Sequence, residues 1–359
     1  MDKAASRLTR RACMRGLILA GGLTCLAPGS MAFGAGRRAD LPRRVLSAGG
    51  RMPHGVYPGG RSGEEDDITA ADVDSFEAAT GAKADWIVFS HNWYHGRAFP
   101  RATAGWIRAR GAIPHIRLML RSSAEENRRE PLYDLRAIAR GRFDADLTAW
   151  GKAAAGFATP IICEFGTEMN GQWFPWNGVW NGGRRGPGRF RAAYRHIIAI
   201  MRQAGAENIL WVFHVNDRDD PARWWNRFEA YYPGDSHIDL LGVSIYSALG
   251  PRDEGHQDFA SALSRVMARF AKMAPDKLVI VAEMGTDVHN RRENAARWAR
   301  RAMEAIHSGK WPNLAGWAWW NERWQNDDVH SHDSDLRVQS DPALARVLRE
   351  FLQGRENRP

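Results

Sequence analysis

Short runs of β-branched and aromatic residues recur along this chain, separated by longer stretches whose apolar positions repeat at helical spacing. The runs are His54–Tyr57, Trp86–Ser90, Ile113–Leu120, Pro160–Phe165, Ile209–His214, Ile238–Tyr246, Lys277–Ala282 and Leu314–Trp320. Helices are expected between them over Ala70–Thr80, Ala102–Arg110, Ala145–Ala155, Arg189–Ala204, Ala222–Tyr231, Phe259–Met273 and Arg292–His307, with a last one near Pro342–Phe351. Runs such as Ile209–Phe213 are almost continuously apolar, as strands are when helices cover one face and packed side chains the other. Strand starts are 27 to 49 residues apart, the size of a βα unit. Eight such units predict an α/β fold, a single-domain (β/α)8 TIM barrel, better than a doubly wound sheet. Tyr57-Pro58-Gly59-Gly60 after the first strand lacks the glycine pattern of a dinucleotide or phosphate loop. In a barrel of this kind, catalytic groups belong at the C-terminal ends of the strands.

The first 32 residues follow a different pattern. Lys3, Arg7, Arg10, Arg11 and Arg15 precede the apolar stretch 16–28, and Ser30-Met31-Ala32 supplies a small-x-small cleavage pattern. Basic, apolar and small residues in that order predict a signal peptide whose apolar part is too short to anchor in a membrane. Thr9-Arg10-Arg11 resembles a twin-arginine export signal, so an exported protein, periplasmic or secreted, is expected. Residues 33–45, rich in Gly and Arg, read as a linker, and 46–355 as the barrel domain. The whole chain carries a formal charge of +9; removing residues 1–32, with five basic residues and one acidic, leaves +5. That charge, with basic pairs such as Arg184-Arg185 lying beside glycines, is a solubility feature and not a nucleic-acid footprint. Of three cysteines only Cys163 lies outside the signal segment, which excludes a disulfide scaffold. No apolar run reaches the roughly 20 residues that span a bilayer. A 44% hydrophobic composition excludes disorder.

Sixteen tryptophans are the unusual count, and none precedes Trp86. Trp joins a flat apolar face to one N–H donor, so an excess serves either core filling or ligand stacking. Trp106, Trp150, Trp211 and Trp298 are expected to wedge helices against the barrel. Trp93, Trp173, Trp176, Trp180, Trp319, Trp320 and Trp324 fall at or beyond strand ends and are expected at the rim of a cleft. Two carboxylates share that position: Glu168, after the fourth strand, and Glu283, at the end of the seventh. Indole faces beside paired carboxylates suit a sugar ring, whose C–H faces are apolar and whose hydroxyl edge needs donors and acceptors.

The stretch Gly166-Thr167-Glu168-Met169-Asn170-Gly171, followed by Trp173-Phe174-Pro175-Trp176, closely resembles the acid/base motif of glycoside hydrolase family 26, the β-mannanase family of a large retaining (β/α)8 clan. Gly55-Val56-Tyr57-Pro58-Gly59, Gly242-Val243-Ser244-Ile245-Tyr246, Glu283-Met284-Gly285 and Asp335–Ser340 are similar to the same family, so the resemblance spans residues 46–352. It implies Glu168 as general acid/base, Glu283 as nucleophile and Tyr246 as the hydrogen-bond donor to that nucleophile. It also implies Trp173 and Trp319 along the central sugar subsites, with Trp93, Trp176, His214, Asn216 and Trp320 as further substrate contacts. The implied activity is hydrolysis of a β-linked polysaccharide, β-mannan first, by a monomer without cofactor. Mixed-linkage β-glucan, β-1,3-xylan and bacterial exopolysaccharide are the alternatives. One departure stands out: the mannanases carry His immediately before the acid/base, and this chain has Thr167. Double displacement asks the two carboxyls to titrate apart, with Glu168 raised by the apolar Trp173–Trp176 loop and Glu283 held ionised by hydrogen bonds.

Two competing readings follow from other residues. His91 and His95, or His330 and His332 with Asp333 and Asp335, could ligate a metal. A pair of His four apart binds metal chiefly on a helix, however, and His91–His95 falls at a strand end. The 330–335 cluster reads as an ordinary polar loop or at most a calcium site, and no metal is expected. A carbohydrate-binding barrel without turnover would keep the tryptophans and lose a carboxylate, whereas both carboxylates are present.

Overall fold

The structure, a computed structural model, describes residues 40–47, 51–60, 63 and 65–354; the signal segment 1–32 lies outside them. Eight parallel strands close into a barrel in sequence order: β1 (His54–Tyr57), β2 (Trp86–Asn92), β3 (Ile113–Met119), β4 (Ile161–Phe165), β5 (Ile209–Asn216), β6 (Leu240–Tyr246), β7 (Leu278–Gly285) and β8 (Leu314–Trp320). The (β/α)8 expectation is met. Several strands run further at their C-terminal ends than their apolar pattern indicates, β2 to Asn92, β5 to Asn216 and β7 to Gly285. The added stretches each bring in a polar residue, Asn92, Asn216 or Glu283, that breaks the apolar run, yet they remain in the parallel ladder.

Helices fill the connections. Among the described residues these are α1 (Leu41–Leu46), α2 (Ala70–Thr80), α3 (Arg101–Ala109), α4 (Leu135–Ala139), α5 (Asp144–Ala155), α6 (Gly186–Gln203), α7 (Phe259–Met273), α8 (Ala295–Ile306) and α9 (Pro342–Gln353). The start of α2 shows how local chemistry sets an element. The Thr69 side chain accepts from the Asp72 amide while Asp72 accepts from the Thr69 amide, and Gly81 ends the helix at φ 69°. Two expectations fail. Residues 41–45, at the end of the stretch read as linker, form α1 together with Leu46, and Leu41 and Leu46 are buried in the core. The helix expected over Ala222–Tyr231 is only a 3-10 turn at Phe228–Tyr231. Asn226 instead spends its amide on the carbonyls of Asn170 and Pro221, tying the loop after β5 to the loop after β4.

The two-residue period of the strands sorts side chains between the barrel interior and the helices. At the lower end the Trp86 indole fills the interior, and it needs glycine beside it. A Cβ on Gly55 would lie 2.0 Å from the Trp86 ring nitrogen, and one on Gly316 would lie 2.7 Å from the ring. Further up, the interior turns polar, with Ser90, Arg117, Glu164, His214 and Ser244 at successive strand ends, all buried. Ala282 faces inward beside Gly242, so strict alternation would send Glu283 outward. A bulge prevents this: Val243 pairs with Val281 but Ser244 with Glu283, and the extra residue turns the Glu283 carboxylate into the cleft.

Candidate active site

Glu283 and Glu168 open onto one cavity of about 620 Å³ at the C-terminal end of the barrel. Trp173, Asn216, Asp217, Arg218 and Tyr246 line it with them, and the loop from Ser247 to Gln257 forms its outer wall. The Tyr246 hydroxyl donates to Glu283 Oε2 at 2.8 Å. The Trp173 indole N–H donates to Glu168 Oε2 at 2.9 Å. Glu168 sits in the left-handed region at φ 49°, a conformation costing a non-glycine residue about 1 kcal/mol. Its amide donates to the His214 carbonyl at 3.0 Å and its carbonyl accepts from Gly171 at 2.8 Å, so the turn around it holds the strained residue in place.

Beneath the cavity lies a buried network that sequence reasoning missed. The Arg117 Nε is 3.7 Å from Glu283 Oε1 and 3.5 Å from Glu164 Oε1, and its Nη1 donates to Glu65. Glu164 Oε2 is 2.7 Å from His214 Nδ1, which is also 3.0 Å from the Thr167 hydroxyl, and His214 Nε2 is 2.7 Å from Ser244 Oγ. Burial penalises the charge on Glu164, but His214 and His115 prevail and hold its carboxyl well below the usual range. Burial likewise opposes a charged His214, yet Glu164 raises it above the ordinary imidazole value. Arg117 is held charged against its burial by Glu65, Glu283 and Glu164. The signal for this network was a single charged residue inside each of two buried strands, Arg117 in β3 and Glu164 in β4.

Glu283 itself overturns an expectation. It was to be the carboxyl held ionised by its hydrogen bonds, but burial outweighs the pull of Arg117 and pushes it up to about 7, with Glu168 adding to the rise. The Tyr246 hydroxyl is raised well above its ordinary value by burial and then by Glu283, so it stays a donor.

The tryptophans divide differently from their sequence positions. Trp173 alone of the seven rim candidates lines the large cavity. Trp319 faces away from it: fully buried, it packs edge-on against Trp298 of α8 and donates to the Leu336 carbonyl, because the period of β8 points it at the helices. Trp320 takes the inward face, stacked 4.0 Å from the Tyr57 ring with the Arg117 guanidinium 5.1 Å from its own. Trp93 packs against Tyr133 and Phe143, and Trp176 lies under its loop, stacked on Phe174 and donating to the Thr167 carbonyl. The indole N–H of Trp180 bonds the Gln172 carbonyl, and that of Trp324 bonds Asn326. Trp150, Trp211 and Trp298 are buried between helices and barrel, and Trp106 is partly buried there. His214 lies in the buried network and not on the cavity wall, whereas Asn216 lies on that wall.

The histidine sets read as alternatives do not converge. His91 is buried against Trp150 and pushed down to about 4 by that burial, while His95 pairs with Asp66 at the surface. His330 lies against Arg323 and Asp333, and His332 against Asp327. Among the described residues Glu164, His214 and Glu283 bring possible ligand atoms within 4.8 Å of one another. The Arg117 guanidinium and the raised imidazole of His214 already balance these carboxylates, which leaves little driving force for a cation there.

A sequence model of glycosyl hydrolase family 26 matches residues 141–327, just over half of the chain and including both cavity carboxylates. Endoglucanase H of Acetivibrio thermocellus is 26% identical over 289 residues, which is 80% of this chain. The chain spans only 29% of that relative's length. Similar solved structures include a Bacteroides ovatus GH26 β-mannanase, at 15% identity over 88% of this chain and 92% of its own, with a TM-score of 0.59. A Cellulomonas fimi endo-β-1,4-mannanase variant is 18% identical over 89% of this chain and 74% of its own, with a TM-score of 0.61. The Bacillus subtilis mannanase is 18% identical over 79% and 83%, with a TM-score of 0.54. At such identities the structural likeness establishes the barrel and nothing finer.

Proposed function

The chain belongs to glycosyl hydrolase family 26 and is a glycoside hydrolase, and from that premise we propose an exported, monomeric, retaining endo-β-glycosidase acting on β-linked polysaccharide. The observation that carries this reading is that Glu168 and Glu283 face one cavity, each held by its own donor, Trp173 and Tyr246. Ionised Glu283 attacks the anomeric carbon while protonated Glu168 donates to the departing glycosidic oxygen. Water then enters against the glycosyl-enzyme, Glu168 takes its proton, and Glu283 leaves with the C–O bond pair. Tyr246 and Arg117 stabilise the nucleophile's charge as it is regenerated. Trp173 fixes the Glu168 carboxyl and offers an indole face to the sugar on the leaving-group side.

β-Mannan is the first substrate to test. A second reading, β-glucan, is favoured by two observations: the relative named endoglucanase H, and Thr167 in the place where the family's mannanases carry His. Here the Thr167 hydroxyl is spent on His214, so no imidazole from this position reaches the sugar. Release of reducing ends from mannan, mixed-linkage β-glucan, β-1,3-xylan and exopolysaccharide separates these readings. No release from any of them, by a folded enzyme, would sink the hydrolytic reading of this cleft. Export rests on residues 1–32, and a reporter fused to them that stays in the cytoplasm would remove it.

A further inference from the structure

Arg136, Arg140, Arg185 and Arg189 surround a second cavity of about 320 Å³, between α4 and the start of α6. It shares no lining residue with the catalytic cavity. Its apolar floor includes Leu135 and Ala139. Most other arginines of the described surface are spent on partners, such as Arg269 on Asp219 and Glu229, or Arg337 on Asp335. Among the described residues Arg136, Arg140 and Arg185 have no carboxylate partner, and Arg189 places only Nη1 on the Asn181 carbonyl. Four like charges line this one cavity with no carboxylate among its lining residues. Arg185 and Arg189 flank the first turn of an 18-residue helix whose N-terminus carries no acidic residue and no side-chain cap, so cations gather where the helix dipole is already positive.

An anion relieves that repulsion, and guanidinium forks match a carboxylate or phosphate in the plane of its oxygens. Arg184-Arg185, which the sequence offered as a solvated basic pair, leads straight into this groove from the loop that carries Glu168 and Trp173. We propose that the α4–α6 groove is a surface site for the anionic groups of an acidic polysaccharide, outside the catalytic cleft on the same end of the barrel. The polysaccharide as carrier rests on the glycosidase reading above; the anion chemistry of the groove does not.

Affinity electrophoresis through gels containing polygalacturonate tests it. The wild-type enzyme should be retarded there. The combined variant Arg136→Ala, Arg140→Ala, Arg185→Ala should bind roughly tenfold more weakly or worse. A control of equal charge change, Arg43→Ala, Arg297→Ala, Arg346→Ala, should keep the wild-type retardation. Hydrolysis of a neutral polysaccharide should be unchanged in the groove variant, which also reports that it folds. The proposal is overturned by absence of retardation, or by equal losses in the two triple variants. It is equally overturned if arginine-dependent binding is seen only with phosphatidylglycerol vesicles or inorganic phosphate. Groove-dependent retardation of a protein that hydrolyses nothing would support the site while removing the glycosidase reading.

Discussion

A carboxyl group sealed between Arg117 and Tyr246 responds to pH in the direction its burial sets. Glu283 titrates near 7 instead of its ordinary 4.5, so between those values the folded chain holds a proton that the unfolded chain has released. The neutral carboxyl's contribution to stability is therefore complete below about 4.5 and is lost as pH rises through about 7. On the proposed mechanism catalysis runs the other way, because Glu283 must be ionised to attack. The acid limb of kcat/KM is expected at about 7, well above an ordinary glutamate. Glu283→Gln should melt above wild type by a margin that widens between about pH 5 and about pH 8, and a margin constant across that range would contradict the burial argument. Tyr246→Phe removes a donor to the charged form. It should lower kcat by roughly 10- to 100-fold, in line with a charge-assisted hydrogen bond, and move the acid limb upward. An unmoved limb would mean that Tyr246 serves the fold and not the nucleophile.

At the scale of strands and loops, what was legible depended on whether an element obeyed its period. The eight strands and most helices did, and their apolar runs placed them within a few residues. The extensions of β2, β5 and β7 were not legible, because the polar residues that continue each strand look like the start of a loop. Nor was the β7 bulge: nothing in Val281-Ala282-Glu283 distinguishes a strand that alternates from one that turns two neighbours inward. The period did divide the strand-8 tryptophans correctly into Trp317 and Trp319 on one face and Trp320 on the other. It could not say which face is inside, and the family resemblance put Trp319 in the cleft where the structure puts it against α8. Trp319→Ala should therefore cost about 3–5 kcal/mol of unfolding free energy while leaving KM unchanged. Trp173→Ala should do the opposite, with little loss of stability, a raised KM and a lowered kcat as Glu168 loses its donor. Denaturant melts and steady-state kinetics on the same two variants separate the roles.

The whole molecule is a barrel whose interior changes from apolar to ionic along its axis, from Trp86 at one end to Arg117, Glu164, His214 and Glu283 at the other. The closed sheet has no edge to protect, so charge can concentrate at one mouth without exposing an unpaired strand. Barrel class and both cavity carboxylates were readable from strand count and position, since a βα repeat leaves few places for catalytic groups. The network below them was not, because its members lie on five different strands and only closure of the sheet brings them together. On the proposed mechanism, those buried charges hold two carboxylates in distinct roles over one cavity. Proton NMR of the earliest products from a β-linked polysaccharide tests that claim most directly, with wild type beside Glu168→Ala and Glu283→Ala. The β-anomer should appear first with wild type, and both variants should lose turnover by several orders of magnitude. An α-anomer appearing first, or undiminished release by either variant, would contradict double displacement by this pair.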